Sequence, residues 1–267
     1  MFPKLFQFGD FFLPTYGVLV ALAFLGGLMV ATRLAKRVGM NQELVVNLVV
    51  YCALGGLLGA KLLMFLFDWE HFRANPGDMF SIATLRAAGV YQGGLILAIV
   101  VAFWYVRKHA MPWKQTFDVF APGIAIGHGI GKLGCFVAGC CWGRECDLPW
   151  AVTFRNPDAN ALTGVPLHVS LHPAQLYELG AEILLFGFLY WRFGRPHKPG
   201  HIMGLYLLLS SLMRFGIEFT RFHEQALPFG LPFSMTQWIA VGLAIAGAAL
   251  LWSPKSVPAK AIPSPAH

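Results

Sequence analysis

The sequence predicts an all-α, polytopic membrane protein of about seven transmembrane helices, with the N-terminus outside and the C-terminus inside. Three observations predict it. The chain is 57% hydrophobic and only 12% charged, far from the balance of a soluble globular domain. Apolar runs near the roughly 20 residues that a span requires recur along it. Lys and Arg, finally, are unevenly shared between alternate loops.

The runs fall at 15–35, 44–67, 89–106, 117–137, 174–191, 202–219 and 235–252. Residues 1–14 carry aromatics but no long basic region, and no small-x-small cleavage site closes the first run. They read as an interfacial segment ahead of an uncleaved span. The first run opens on Tyr16-Gly17. The second contains Gly59-Ala60-Lys61-Leu62 and a mid-span Cys52 that reads as an ordinary buried thiol. The third opens on Tyr91-Gln92-Gly93-Gly94-Leu95. The fourth leads through Gly131-Lys132-Leu133-Gly134-Cys135 into a long outer loop, 138–173. The fifth follows His172-Pro173, an extended residue and then a proline near the first helical turn. The sixth ends in Arg214-Phe215-Gly216-Ile217-Glu218-Phe219-Thr220-Arg221, and the seventh closes at Trp252. No linker or internal repeat divides residues 1–253, which read as a single polytopic membrane domain. Residues 254–267, rich in Pro, Ala, Ser and Lys, read as a disordered cytoplasmic tail.

Orientation follows from the loop charges. With the N-terminus outside, the inner loops and tail hold Arg33, Lys36, Arg37, Arg107, Lys108, Lys114, Arg192, Arg195, Lys198, Lys255 and Lys260. The outer side holds Lys4, Arg73, Arg86, Arg144, Arg155 and Arg221. Eleven against six satisfies the positive-inside rule. Basic inner loops against anionic lipid also account for the net charge of +7, so no nucleic acid is needed.

Ionisable residues inside spans are the first candidates for function. Arg214, Glu218 and Arg221 stand at i, i+4 and i+7, on one helical face. A neutralised Arg–Glu pair gluing helices is one explanation, with Arg221 snorkelling outward. An anion clamp is the other, because guanidinium groups present a fork matched to phosphate. Gln175, Glu178 and Glu182 recur along one face of the fifth run, as a polar seam or as a charged wall of the same cavity. Gln92-Gly93-Gly94 permits close backbone approach to a ligand or to another helix, and a helix N-terminus there suits an anion. Tyr16 at an interface is more often an aromatic-belt anchor than a catalyst.

Four of the five cysteines, Cys135, Cys140, Cys141 and Cys146, lie within twelve positions. On the outer side a disulfide is permitted. Their spacing does not match the usual paired zinc motifs. Tight-turn packing or one structural disulfide fits better than a catalytic thiol activated by Lys132 and Arg144, and a metal fits least.

Taken in order, these motifs resemble the prolipoprotein diacylglyceryl transferase family over nearly the whole chain. The most specific are His172-Pro173-Ala174-Gln175-Leu176-Tyr177-Glu178 and Arg214-Phe215-x-x-Glu218-x-x-Arg221. The resemblance implies a multi-pass enzyme of the bacterial plasma (inner) membrane, with seven spans and the N-terminus outside. Its partners would be the lipid bilayer, phosphatidylglycerol and a prolipoprotein lipobox peptide. The sn-1,2-diacylglyceryl group would move to the lipobox cysteine, forming a thioether and releasing glycerol phosphate. No metal and no soluble cofactor is implied. The catalytic set would be Arg214, Lys132, Gln92 and Tyr16. Arg144, Glu218, Arg221, Gly93, Gly94, Cys135, His172, Gln175, Tyr177, Glu178 and Lys61 would bind substrate.

Departures from the family pattern cluster at that site. Gln92 stands where the family has a histidine proposed to help deprotonate the thiol, and an amide cannot take that proton. Lys132 and Lys61 replace arginines, giving point charges in place of forks. Cys135 replaces an asparagine, and Ala138-Gly139-Cys140 replaces Asn-Gly-Glu. The alternatives are therefore a divergent paralogue that binds lipid or lipoprotein, or a thiol-dependent lipid transferase with a different acceptor.

Overall fold

The computed structural model describes residues 2–8, 11–81, 84, 87, 89–222 and 231–252. The predicted tail, Arg86 and part of the 220–234 loop lie outside the described residues. The chain is mostly helical, and its elements group into two compact units.

Met1–Arg33 together with Phe117–His267 forms the first unit. A short antiparallel pair, β1 (Lys4–Phe8) and β2 (Phe11–Pro14), leads into helix α1 (Thr15–Arg37). The second unit, Leu34–Thr116, contains α2 (Gln42–Phe67), α3 (Trp69–Ala74), a 3-10 turn Pro76–Phe80 and α4 (Tyr91–Lys108). The chain then enters α5 (Trp113–Ala138), whose residues from Phe117 onward belong to the first unit. There follow β3 (Val152–Thr153), α6 (Pro157–Thr163), β4 (Ser170–Leu171), α7 (Ala174–Phe193), α8 (His201–Glu218) and α9 (Met235–Trp252). Among the described residues, seven long helices coincide with the seven apolar runs to within a few residues. By length and composition, α1, α2, α5 and α9 could each cross a membrane.

Small residues set the helix crossings. A Cβ on Gly27 of α1 would sit 2.9 Å from the Gly123 carbonyl of α5. In the second unit, one on Gly94 of α4 would sit 2.8 Å from the Gly56 carbonyl of α2, and one on Gly59 would collide with the Gly93 carbonyl. Without a strong hydrophobic drive between helices in lipid, such close backbone approach supplies the packing energy. Gly93 and Gly94 are both buried in that crossing.

Local chemistry places the remaining ends. Asn41 caps α2, accepting from the Glu43 amide at 2.8 Å. The Asp118 carboxylate, buried on α5, accepts from the Gly200 and Met203 amides at 2.6 and 2.8 Å and so caps α8. The segment between α5 and α7 has a small core of its own. Phe154, Ala159, Val165 and Leu171 are buried there, with Trp142 and Val152 packed against them. β3 pairs antiparallel with β4, and Lys4 at the N-terminus pairs with Asp158 of α6 at 2.9 Å.

Candidate active site

One carboxylate organises the polar interior of the first unit. Glu178 of α7, with a side chain 3% exposed, receives Lys132 Nζ of α5 at 2.6 Å on Oε2. Its other oxygen receives Arg214 Nη1 of α8 at 3.3 Å and Arg221 Nη1 at 3.0 Å. Helical spacing makes this possible. His128, Lys132 and Cys135 stand at i, i+4 and i+7 on α5. Gln175, Glu178 and Glu182 share a face of α7, and Arg214 and Glu218 a face of α8.

The flanks are equally specific. His128 Nδ1 lies 2.9 Å from Glu182 Oε1, while its Nε2 is 3.9 Å from Glu178 Oε2. Arg214 Nη1 reaches Glu218 Oε2 at 2.6 Å, and Ser234 Oγ donates to Glu218 Oε1 at 2.8 Å. Ser234 also caps α9. Its Oγ accepts from the Gln237 amide, and the Gln237 side chain accepts from the Ser234 amide, a reciprocal box. Arg214 and Glu218 pair one turn apart within α8, so this pair by itself joins no two helices. Arg214 reaches Glu178 as well, and so belongs to a network.

Charge decides what the network can do. Lys132, Arg214 and Arg221 face Glu178 and Glu218, and Glu182 joins the network through His128, so three cations stand with three carboxylates. The cations are held at low exposure, where attraction to an anion is screened far less than in water. A phosphate oxygen can compete with Glu178 for all three cations.

The loop after α5 is pinned beside this cluster by the backbone. Gly143 donates to the His172 carbonyl at 3.1 Å and Arg144 to the Thr220 carbonyl at 2.8 Å. The Arg144 guanidinium donates through Nε to the Arg221 carbonyl at 3.1 Å, so it holds the backbone from which Arg221 projects. A side chain at Gly143 would meet the His172 and Thr220 carbonyls at 2.6 Å. Tyr177 accepts from Trp150 Nε1 at 2.7 Å and stands 3.2 Å from His172 Nδ1. Gln175, fully buried, donates to the Cys140 carbonyl at 2.7 Å.

The thiols converge where α5 ends. Gly139 adopts φ +87° and the Cys140 amide bonds back to the Cys135 carbonyl at 3.0 Å, a Schellman-type stop. Cys141 follows at φ +61°, a left-handed conformation uncommon for a residue with a Cβ. The two reversals bring the sulfurs of Cys135, Cys140 and Cys141 within 4.8 Å of one another. All five cysteines are free thiols. Hydrogen bonds with Cys135 and Cys140, then the Arg221 and Lys132 charges, pull the Cys141 thiol below the ordinary range, and the same pairing pushes Cys140 above it.

Tyr16, in the first turn of α1, lies against the Gly134 face of α5, where an added Cβ would sit 3.2 Å from its ring. In the second unit, Lys61 donates to the Thr84 and Ala87 carbonyls, and Gln92 is exposed in the first turn of α4. Sequence reasoning missed His128, Trp150 and Ser234, and it read Glu182 as part of a polar seam or of a charged wall without pairing it with a histidine. The signal for His128 was its i, i+4 relation to Lys132. The signal for Ser234 was the Ser-x-x-Gln spacing to Gln237.

Comparison with known proteins gives the family. The family model described as prolipoprotein diacylglyceryl transferase matches residues 3–253. A phosphatidylglycerol–prolipoprotein diacylglyceryl transferase of Vibrio vulnificus is 34% identical over 95% of this chain and 92% of its own length. Proteins of the same name from Chromohalobacter salexigens and Bordetella bronchiseptica are 32% and 36% identical. The first covers 94% of this chain and 92% of its own length, the second 76% and 75%. Sharing sequence over nearly its whole length with these proteins, and carrying the arginine–glutamate cluster on the motifs that suggested it, the chain belongs to the prolipoprotein diacylglyceryl transferase family.

Proposed function

We propose that this protein transfers the sn-1,2-diacylglyceryl group of phosphatidylglycerol to the lipobox cysteine of a prolipoprotein. The observation that carries this reading is the convergence of Lys132, Arg214 and Arg221 on Glu178. The acceptor sulfur attacks the glyceryl carbon that bears the phosphate. The carbon–oxygen bond breaks and its electron pair stays on the departing glycerol phosphate. Negative charge therefore grows on the leaving oxygen, and preorganised cations in a dry site stabilise that growth. Arg214 and Lys132 take that role, and Arg221, held by Arg144, binds the remaining phosphate oxygens.

The thiol must lose a proton, and Gln92 cannot accept it. His128 can. Glu182 at Nδ1 orients the ring and leaves Nε2 as the acceptor, the carboxylate–imidazole arrangement of a general base. Tyr16 and Gln92 serve as hydrogen-bonding groups. His172, Gln175 and Tyr177 shape the outer wall, and Cys135 and Glu218 complete the lining. Gly93 and Gly94 let α4 approach, and Lys61 steadies the segment before α4.

The seven long helices serve as seven spans of a bacterial inner-membrane protein, N-terminus outside. The excess of Lys and Arg in alternate loops supports this orientation. The test is direct. Purified protein in detergent receives phosphatidylglycerol and a lipobox peptide, and mass spectrometry reads the products. A diacylglyceryl adduct on the peptide cysteine with released glycerol phosphate is expected. No adduct beside an active family member would refute the reading.

A further inference from the structure

Cys135, Cys140 and Cys141 are not explained by the ion-pair cluster, yet they adjoin it through Arg221, which hydrogen-bonds Cys141. Three features single them out. Their sulfurs lie within 4.8 Å of one another, though the chain must reverse twice in three residues to bring them there. One reversal is taken by Cys141 itself at φ +61°, where a non-glycine residue is held only when its surroundings over-determine it. Lys132 and Arg221 stand beside the sulfurs, so charge on them is offset. The turn is also fastened from outside, by Gln175 at the Cys140 carbonyl.

An all-sulfur donor set selects soft or borderline cations over hard ones. With metal–sulfur bonds of about 2.3 Å, a tetrahedral site separates its sulfurs by about 3.8 Å, so these three need to close by no more than about 1 Å. A disulfide would consume two and strand the third. Three protein ligands with the fourth position open is the pattern of catalytic zinc sites, whereas structural ones are closed by four.

We propose that Cys135, Cys140 and Cys141 bind Zn(II) and present its open position to the thiol of the acceptor peptide. The acceptor role rests on the transferase reading above; the metal site does not. As the zinc–sulfur bond forms, the acceptor S–H gives its proton to His128 and the sulfur becomes a thiolate, because a coordinating thiol is deprotonated outright. Its lone pair then forms the carbon–sulfur bond to the glyceryl group while the carbon–oxygen bond to phosphate breaks. The neutral thioether is a weak ligand and leaves the metal, and Zn(II) undergoes no redox change. The site thereby does for the thiol what Gln92 cannot.

The test uses the full chain, purified in detergent with its thiols reduced. One zinc per chain is expected by elemental analysis. Co(II) in its place should give the sulfur-to-metal charge-transfer and tetrahedral ligand-field bands of a sulfur-rich site. Each of Cys135→Ser, Cys140→Ser and Cys141→Ser should lose them in protein that still elutes as a monodisperse peak, while Cys146→Ser and Cys52→Ser retain them. A lipobox peptide should shift the Co(II) bands, and the same peptide with serine for cysteine should not. Sub-stoichiometric metal in fully reduced protein, or binding that survives all three substitutions, overturns the site. Binding without a peptide-induced shift overturns the acceptor role. Stripping zinc should slow diacylglyceryl transfer at least tenfold. Undiminished transfer would overturn the role and leave the transferase reading intact. Metal binding with no transfer in any form would overturn the transferase reading and leave the site standing.

Discussion

Lys132 Nζ lies 2.6 Å from Glu178 Oε2, on the carboxylate oxygen that Arg214 and Arg221 do not use. Glu178 is thus the common counter-ion of three cations drawn from α5, α8 and the residues just beyond α8. Removing its charge leaves them facing one another at low exposure. Glu178→Gln keeps the shape and loses the charge, and breaking a buried pair in this way destabilises by about 3–5 kcal/mol. The expected outcome is a clear fall in the unfolding midpoint in detergent together with loss of transfer. An unchanged midpoint would mean that the cluster is held by packing alone.

Arg214 is the sole residue of α8 that joins Glu178 to Glu218 among the described ion pairs. The role proposed for it at the leaving phosphate is electrostatic, and one lost donor of that kind lowers turnover about 100- to 1000-fold. Arg214→Ala should therefore abolish measurable transfer while the protein remains membrane-inserted. Arg214→Lys should recover only part of the rate, since an ammonium keeps the charge but cannot offer a phosphate the two parallel N–H donors of a guanidinium. Turnover near the parent value in Arg214→Ala would remove the clamp from the mechanism.

At the crossing of α2 and α4 the prediction concerns folding alone. A Cβ at Gly59 collides with the Gly93 carbonyl, a backbone atom that cannot rotate away. Gly59→Ala should destabilise by about 1–3 kcal/mol through overpacking. The readout is thermal unfolding in detergent, where a shift no larger than replicate error would show that the helices part more easily than their spacing suggests.

The helices were legible because lipid leaves few options. A long apolar run in hydrocarbon must satisfy its backbone internally. Helices α1, α2, α5 and α9 are long and apolar enough to span, and the other three runs are also helical among the described residues, all with nearly the expected bounds. The arginine motif was legible through its i, i+4, i+7 spacing. Glu178 as the centre was not, because helical periodicity gives a face but does not say which faces meet. His128 was hidden by context, standing between glycines in a run that read as apolar. The meeting of the three thiols could not be read at all. Gly139 signals a helix stop, but nothing in the residue type of Cys141 announces a left-handed turn.

The pairing of His128 with Glu182 carries the last prediction, and pH is what separates a base from a structural histidine. His128 Nδ1 is engaged 2.9 Å from the Glu182 carboxylate, so Nε2 is the nitrogen available to the acceptor thiol. His128→Ala removes the proton acceptor, and general-base loss lowers turnover about 100-fold or more near neutral pH. A free cysteine thiol ionises by itself near pH 8.5, so substrate arriving as thiolate no longer needs the base. Between pH 7 and pH 9 the deficit of His128→Ala should therefore shrink steadily toward the parent rate. Glu182→Gln should show a smaller deficit with the same trend, because the ring is still present but less well oriented. Turnover should be measured across that range with a lipobox peptide under saturating lipid. A deficit that stays constant with pH would assign His128 to structure and return the proton to another group.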